Sequence, residues 1–263
     1  MNTILSGPRG AVLVLVTAIT AGSLAGSLSA VALTNTAIRP AASESSPAGA
    51  TTVSYDVTNV EAAITHVAAT ASDSVVRVVA QVGSVGPFGS AAESSGSGFV
   101  VSSDGLIVTS RHVVDGATAV TVILADGLQR DASVVATDAT NDLSVLRVSA
   151  GNLPDLSLAP AAVEVGQTVI AIGTPLGEFA NSVTTGIVSG LDRSVDVGSG
   201  RGAEHLDGVI QTDAALSSGM SGGPILNVGG QVVGVTTAVA GSAQGVGFAE
   251  PAAVVAALLA TIA

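Results

Sequence analysis

The sequence predicts an all-β protein of two six-stranded antiparallel barrels, with a C-terminal helix and an N-terminal membrane or signal helix. Three observations carry this reading. From about residue 74 to 250 the chain runs as short segments rich in Val, Ile and Thr, set apart by Gly, Asp and Ser turn signals. No helices alternate with these segments, which argues against a parallel α/β sheet. The segments also fall into two sets of about six, separated by a loop around Asn152–Pro160. Aromatic residues are 2% of the chain and Trp is missing, so its cores have to be packed from aliphatic side chains.

Taken in order, residues 11–33 are free of charge behind Arg9 and, at about 1.5 Å per helical residue, reach roughly 34 Å, enough to cross a bilayer core. They read as a signal anchor, or as a signal peptide cut near Ala30-Val31-Ala32. The first division of the chain is therefore 1–33. Residues 34–56, rich in Ala, Ser, Thr and Pro, read as a linker. A helix is expected over 57–71, with Val60, Ile64 and Val67 on one face and Asn59 as N-cap.

The first barrel is expected at about 74–150, with strands at Ser74–Val82, Gly98–Val101, Leu106–Thr109, Ala119–Leu124, Ala132–Thr137 and Leu143–Val148. Ser103-Asp104-Gly105 and Asp126-Gly127 supply hairpin turns. The second is expected at about 161–250, through Thr168–Ile172, Ser182–Ser189, Gly208–Thr212, Pro224–Val228, Gln231–Thr236 and Gly245–Ala249. An apolar helix, Pro251–Ile262, follows.

Composition removes several chemistries. With no Cys there are no thiol nucleophiles, disulfides or thiolate metal sites. All eight basic residues are Arg, so Schiff bases, Ser–Lys dyads and a P-loop lysine are excluded. A net charge of −12, without an Arg cluster, argues against a nucleic-acid partner. No cofactor or metal is expected. Any imidazole base must be His66, His112 or His205, the three histidines. His66 reads as a polar-face residue, and His205, in the loop 198–208, as a solvated loop residue.

Gly219-Met220-Ser221-Gly222-Gly223 is a sharp glycine-flanked turn that exposes a serine and lets the Gly219 and Ser221 amides point at one spot, as an oxyanion site requires. Serine needs a base to become a nucleophile. No His follows Ser221, which rules out the Ser–acid–His order of an α/β-hydrolase elbow. The order His–Asp–Ser is available. His112 lies just past the strand ending at Thr109, where it would serve as general base, and Asp142 opens a strand, where a buried carboxylate would orient the imidazole. Asp138 is a competing acid. Two of these groups come from the first barrel and one from the second, which places the site in the cleft between them.

The segments GSGFVVSSDGLIVTSRHVVDGA, TNDLSVLRV, VIAIGTPLG, NSVTTGIVSGLDRS, IQTDAALSSGMSGGPILN and QGVGFAEP resemble, in order, the HtrA/Deg-type trypsin-like serine proteases of the chymotrypsin fold. The resemblance covers about residues 57–263, the expected protease domain. It implies a serine endopeptidase that cleaves unfolded or exported polypeptides, with His112, Asp142 and Ser221 catalytic and Gly219 and Ser221 as oxyanion amides. Met220 and Ser110 stand where Asn is common in that family. The expectation is a protease domain without the PDZ domain many members carry. Members often trimerise, so a homo-oligomer is possible. Ala215 stands where proteases that cut after basic residues carry Asp, so with Val235, Thr236, Thr237 and Ala238 it is expected to line a pocket for small or medium aliphatic side chains. Thr237 is also a candidate hydrogen-bond partner for Asp142. The domain is expected outside the cytoplasm, membrane-anchored or secreted. A degenerate, polypeptide-binding protein and a latent protease with an unformed oxyanion loop remain alternatives.

Overall fold

Helix α1 spans Val57–Ala71, and a 3-10 turn, Ser72–Ser74, leads into the first strand. In this computed structural model, residues 57–83, 92–179, 181–197, 204–239 and 245–262 are described. The expected N-terminal helix (11–33) and linker (34–56) lie outside them. Among the described residues no helix is long and apolar enough to cross a membrane.

Six strands follow: β1 (Val75–Val82), β2 (Ala92–Ser102), β3 (Leu106–Ser110), β4 (Ala117–Ile123), β5 (Gln129–Asp138) and β6 (Leu143–Val148), with the one-turn helix α2 (Arg111–Val114) between β3 and β4. They close as a barrel in the order β1-β2-β3-β6-β5-β4. The second set is β7 (Thr168–Gly173), β8 (Ser182–Val197), β9 (Glu204–Thr212), β10 (Pro224–Leu226), β11 (Val232–Val239) and β12 (Gly247–Pro251). It closes as β10-β11-β12-β9-β8-β7, so the two halves share one strand order. Helix α3, Ala252–Leu259, ends the fold.

The strands between the barrels explain the near-continuous apolar runs. Successive side chains on a strand face opposite ways. Val100, Ile107 and Leu146 therefore fill the first barrel, while their neighbours Phe99, Val108 and Val145 point out into a shared layer. Ile170, Ile172, Leu226 and Val235 meet them there from the second barrel. Val67 and Ala71 of α1 and Val255 and Leu258 of α3 close the ends of this layer. Val169, Ala171, Val188, Ile225 and Ala249 fill the second barrel.

Several boundaries differ from the sequence expectation. Helix α1 begins at Val57, which puts Asn59 inside its first turn, and Val60 is exposed because the buried stripe runs through Val67 and Ala71. Strand β2 starts at Ala92 rather than Gly98, since Ala92–Ser97 also pair with β1. Strands β8 and β9 form a longer hairpin than expected, reaching Val197 and Glu204. Helix α3 is shorter than Pro251–Ile262, because Pro251 closes β12. The turns at Gly105 and Gly127 stand as expected, each with the glycine at positive φ.

Glu250 of β12 is the one fully buried Glu among the described core residues, and neither carboxyl oxygen has a hydrogen-bond partner there. Burial, reinforced by the Asp142 and Asp138 carboxylates, pushes its acid up from 4.5 to about 8. The folded protein therefore keeps a proton that the unfolded chain releases near pH 4.5. Between these values the unfolded state binds fewer protons, so this group costs stability as pH rises, by on the order of a few kcal/mol in total. Replacing Glu250 with Gln removes the titration. Denaturant unfolding at pH 5 and pH 8 is expected to show Glu250→Gln gaining on the wild type at the higher pH. An equal difference at both pH values would refute the buried acid.

Candidate active site

Strand register brings the base and acid together. Strands β3 and β6 pair so that Ser110 faces Leu143, which sets the residue after β3 beside the residue before β6. Arg111 N–H donates to the Asp142 carbonyl at 2.8 Å, and the following residue, His112, sits on α2. Asp142 adopts φ 49°, a left-handed conformation that non-glycine residues hold only where surroundings fix it.

The Asp142 side chain is 1% exposed. Its Oδ1 accepts the His112 backbone N–H at 2.8 Å, and Oδ2 lies 2.6 Å from His112 Nδ1. Facing a carboxylate, Nδ1 carries the proton, which leaves Nε2 as the basic nitrogen. Thr237 of β11 donates its hydroxyl to the same Oδ2 at 2.8 Å. A buried carboxylate without such donors would carry a large desolvation cost. The competing acid, Asp138, is occupied otherwise: it accepts from the Thr140 and Asn141 amides and from Asn141 Nδ2, closing the turn between β5 and β6.

Ser221 sits within a turn in which Gly219 has φ 91° and Gly222 φ 86°. A side chain at Gly222 would run into the Ser97 carbonyl, and one at Gly219 into the Thr174 carbonyl. The Ser218 carbonyl accepts the Leu176 N–H at 2.7 Å, and across a trans peptide this turns the Gly219 N–H the opposite way. Met220, Gly222 and Gly223 donate their amides to Ser217, Thr236 and Met220 carbonyls. The Gly219 and Ser221 amides take no such partner among the described residues. Ser221 Oγ lies 3.4 Å from the Thr237 carbonyl, a weak contact.

The expected pocket residues divide. Ala215 is exposed, while its neighbour Leu216, which sequence reasoning passed over, packs where a side chain at Gly247 would otherwise stand. Val235 does not line a pocket: it points into the apolar layer between the barrels, because alternation along β11 turns it away from the cleft. Thr236 is buried, and its carbonyl accepts from Gly222 N–H at 2.6 Å and Ser110 Oγ at 3.1 Å. Ala238 pairs with Phe248 in the sheet, and its side chain lies outside the described residues. His66 is exposed on α1. His205 is not in a loop: it sits on β9, with Nδ1 2.7 Å from Asp196 Oδ1 and Nε2 3.3 Å from Asp207 Oδ1. The Asp196 hydrogen bond first, then the Asp207 charge, raises its pKa. Pairing across β8 and β9 made this contact, and sequence distance hid it.

Comparison with known proteins agrees with this geometry. A model of the trypsin-like peptidase domain matches residues 96–235. A protein of Synechocystis sp. described as serine protease HhoB is 45% identical over 161 residues, which are 60% of this chain and 38% of that protein. A DegP-like periplasmic serine endoprotease of Hahella chejuensis is 43% identical over 164 residues, 61% of this chain and 34% of the relative. The chain thus spans little more than a third of the length of these relatives. Among solved structures, the HtrA-type protease AlgW with a tripeptide superposes with a TM-score of 0.66 at 30% identity, covering 76% of this chain and 63% of that one. A serine endoprotease from Yersinia pestis gives 0.61 at 29% identity, covering 75% and 65%. Two barrels of one strand order, a buried Asp–His pair and a glycine-flanked serine turn accompany these matches, and the chain belongs to the trypsin-like peptidase domain family.

Proposed function

We propose that the chain is a serine endopeptidase that hydrolyses peptide bonds of unfolded or exported polypeptides through an acyl-enzyme intermediate. The observation that carries this reading is the grip of buried Asp142 on His112 Nδ1, with Ser221 on its glycine turn in the same fold. Ser221 Oγ attacks the substrate carbonyl while His112 Nε2 takes its proton. Asp142 holds the imidazole in the Nδ1–H form and stabilises the imidazolium that results. The Gly219 and Ser221 amides, both without a backbone acceptor among the described residues, bind the oxyanion. His112 then protonates the leaving amine, and water, deprotonated by the same nitrogen, releases the acyl group.

Leu216 against Gly247 gives the pocket an aliphatic wall, and Ala215 offers no negative charge to a basic side chain. Small and medium aliphatic residues are the proposed preference before the cleaved bond. The charge-free segment 11–33 supports export, with the domain working outside the cytoplasm either tethered or released. The DegP-like relatives described as periplasmic support the same placement.

A fluorophosphonate probe is expected to label the wild-type chain and not Ser221→Ala, and cleavage of unfolded casein is expected to disappear with the same substitution. Labelling that survives the substitution, or a folded wild type that neither labels nor cleaves, would overturn the proposal. Thr237→Val removes one donor to a buried carboxylate and is expected to lower kcat/KM about 10-fold or more while leaving the fold intact. Unchanged kinetics on an aliphatic fluorogenic peptide would show that Asp142 does not depend on Thr237.

A further inference from the structure

Ser97 is fully buried on β2, in the first barrel, yet its polar atoms serve the serine turn of the second. Its N–H donates to the Ser221 carbonyl at 2.8 Å. Its hydroxyl donates to the Gly219 carbonyl at 2.7 Å and accepts the Thr174 N–H at 2.8 Å. Its own carbonyl accepts the Thr109 hydroxyl at 2.7 Å, which fixes Ser97 from within the first barrel. Glycines surround it: a side chain at Gly173 would come 3.0 Å from Ser97 Oγ, and one at Gly223 3.3 Å from Ser97 Cβ.

We infer that Ser97 is a positioning residue, holding the Gly219–Ser221 turn in the conformation that presents its amides to the oxyanion. The inference rests on the serine peptidase reading above. Glycine populates positive and negative φ with similar ease, so Gly219 alone has little reason to stay at 91°. Within the turn this Gly219–Met220 peptide is held at its N–H end, by Met220 to the Ser217 carbonyl, and its carbonyl end finds its partner outside. Ser97 does this at its carbonyl, and the N–H of Ser97 fixes the carbonyl two residues on. Both anchored carbonyls flank the Ser221 amide, while the Leu176 bond to Ser218 sets the Gly219 amide. One hydroxyl from the opposite barrel therefore closes a hydrogen-bond chain running from Thr174 to Gly219. Without it, the turn keeps its contacts to Leu176 and, through the Met220 N–H, to Ser217, but the carbonyl end of the Gly219–Met220 peptide loses its tie to the opposite barrel.

The test uses the full chain as wild type, Ser97→Ala, Ser97→Cys and Ser221→Ala. Fluorophosphonate labelling rates and kcat and KM on a fluorogenic peptide with Val before the cleaved bond are measured beside thermal unfolding. Ser97→Ala is expected to lower the labelling rate and kcat about 10- to 100-fold, less than or comparable to loss of an oxyanion donor, with KM within about twofold of wild type. Ser97→Cys, similar in shape but a weak donor, is expected to fall between Ala and wild type. Labelling and kcat of Ser97→Ala within about threefold of wild type would overturn the inference. So would a Cys variant equal to wild type, since shape alone would then suffice. If Ser97→Ala does not fold, Ser97→Cys decides by the same criteria. A folded wild type that reacts no faster than Ser221→Ala would instead bring down the serine peptidase reading, and this inference with it.

Discussion

Asp142 sets the terms for the rest of the molecule. Charged residues are only 11% of the chain, yet this carboxylate is buried where the two barrels meet. Each of its hydrogen bonds comes from a different source: the backbone of α2, the imidazole on it, and a hydroxyl on β11. The first two belong to one barrel and the third to the other. An acid placed this way is satisfied only when the barrels are docked, so docking and assembly of the site are a single event. The apolar layer of Phe99, Val145, Ile170 and Leu226 supplies the non-directional attraction, and the carboxylate supplies the register.

Three of the polar contacts across the barrels share a chemical type. Ser97 to Gly219, Ser110 to Thr236 and Thr237 to Asp142 are all made by small hydroxyl side chains. A hydroxyl one bond from Cβ has little reach, so each contact demands that two backbones come close. That accounts for Gly222 and Gly223, where a Cβ would strike Ser97 O or the Ile172 carbonyl. A longer donor such as Lys or Arg would have relaxed the spacing and brought more side-chain entropy to be lost. Short hydroxyls give a stiff join, which suits the proposed site, whose reacting groups would come from both halves.

What the sequence disclosed follows the range of the interactions involved. Strand alternation, turn glycines and the serine turn are local, and the two barrels were legible from them, as was the order His112, Asp142, Ser221 on which the proposed site rests. Thr237 was visible as a candidate donor, though only the docking of β11 selects it over its neighbours. Pairings between distant segments were hidden. The strand expected from Gly98 begins at Ala92, because pairing to β1 draws the small polar residues Ser94–Ser97 into it. His205 read as isolated because Asp196 approaches it only across the β8–β9 hairpin. Val235 is expected at the pocket from sequence because a strand's sequence gives its alternation but not which face meets the cleft. Glu250, in a motif that otherwise reads as an apolar strand, betrayed nothing of the carboxylates near it.

Met220 brings these scales together. The resembled family commonly has Asn there, and by sequence alone the change put the oxyanion turn in doubt. In the fold the Met220 side chain is buried in the second barrel's core with Val169, Ala171 and Ile225, while its amide donates to Ser217. The turn is thus held from two directions: an apolar side chain anchors it downward into one barrel, and the Ser97 hydroxyl anchors the preceding carbonyl to the other. Met has three rotatable side-chain bonds and adapts to irregular cavities. Burying it in place of an amide also avoids having to satisfy two donors and an acceptor inside an aliphatic core. The two amides of the proposed oxyanion site can therefore be presented by an apolar anchor together with the Ser97 hydroxyl, so long as Gly219 keeps its left-handed conformation.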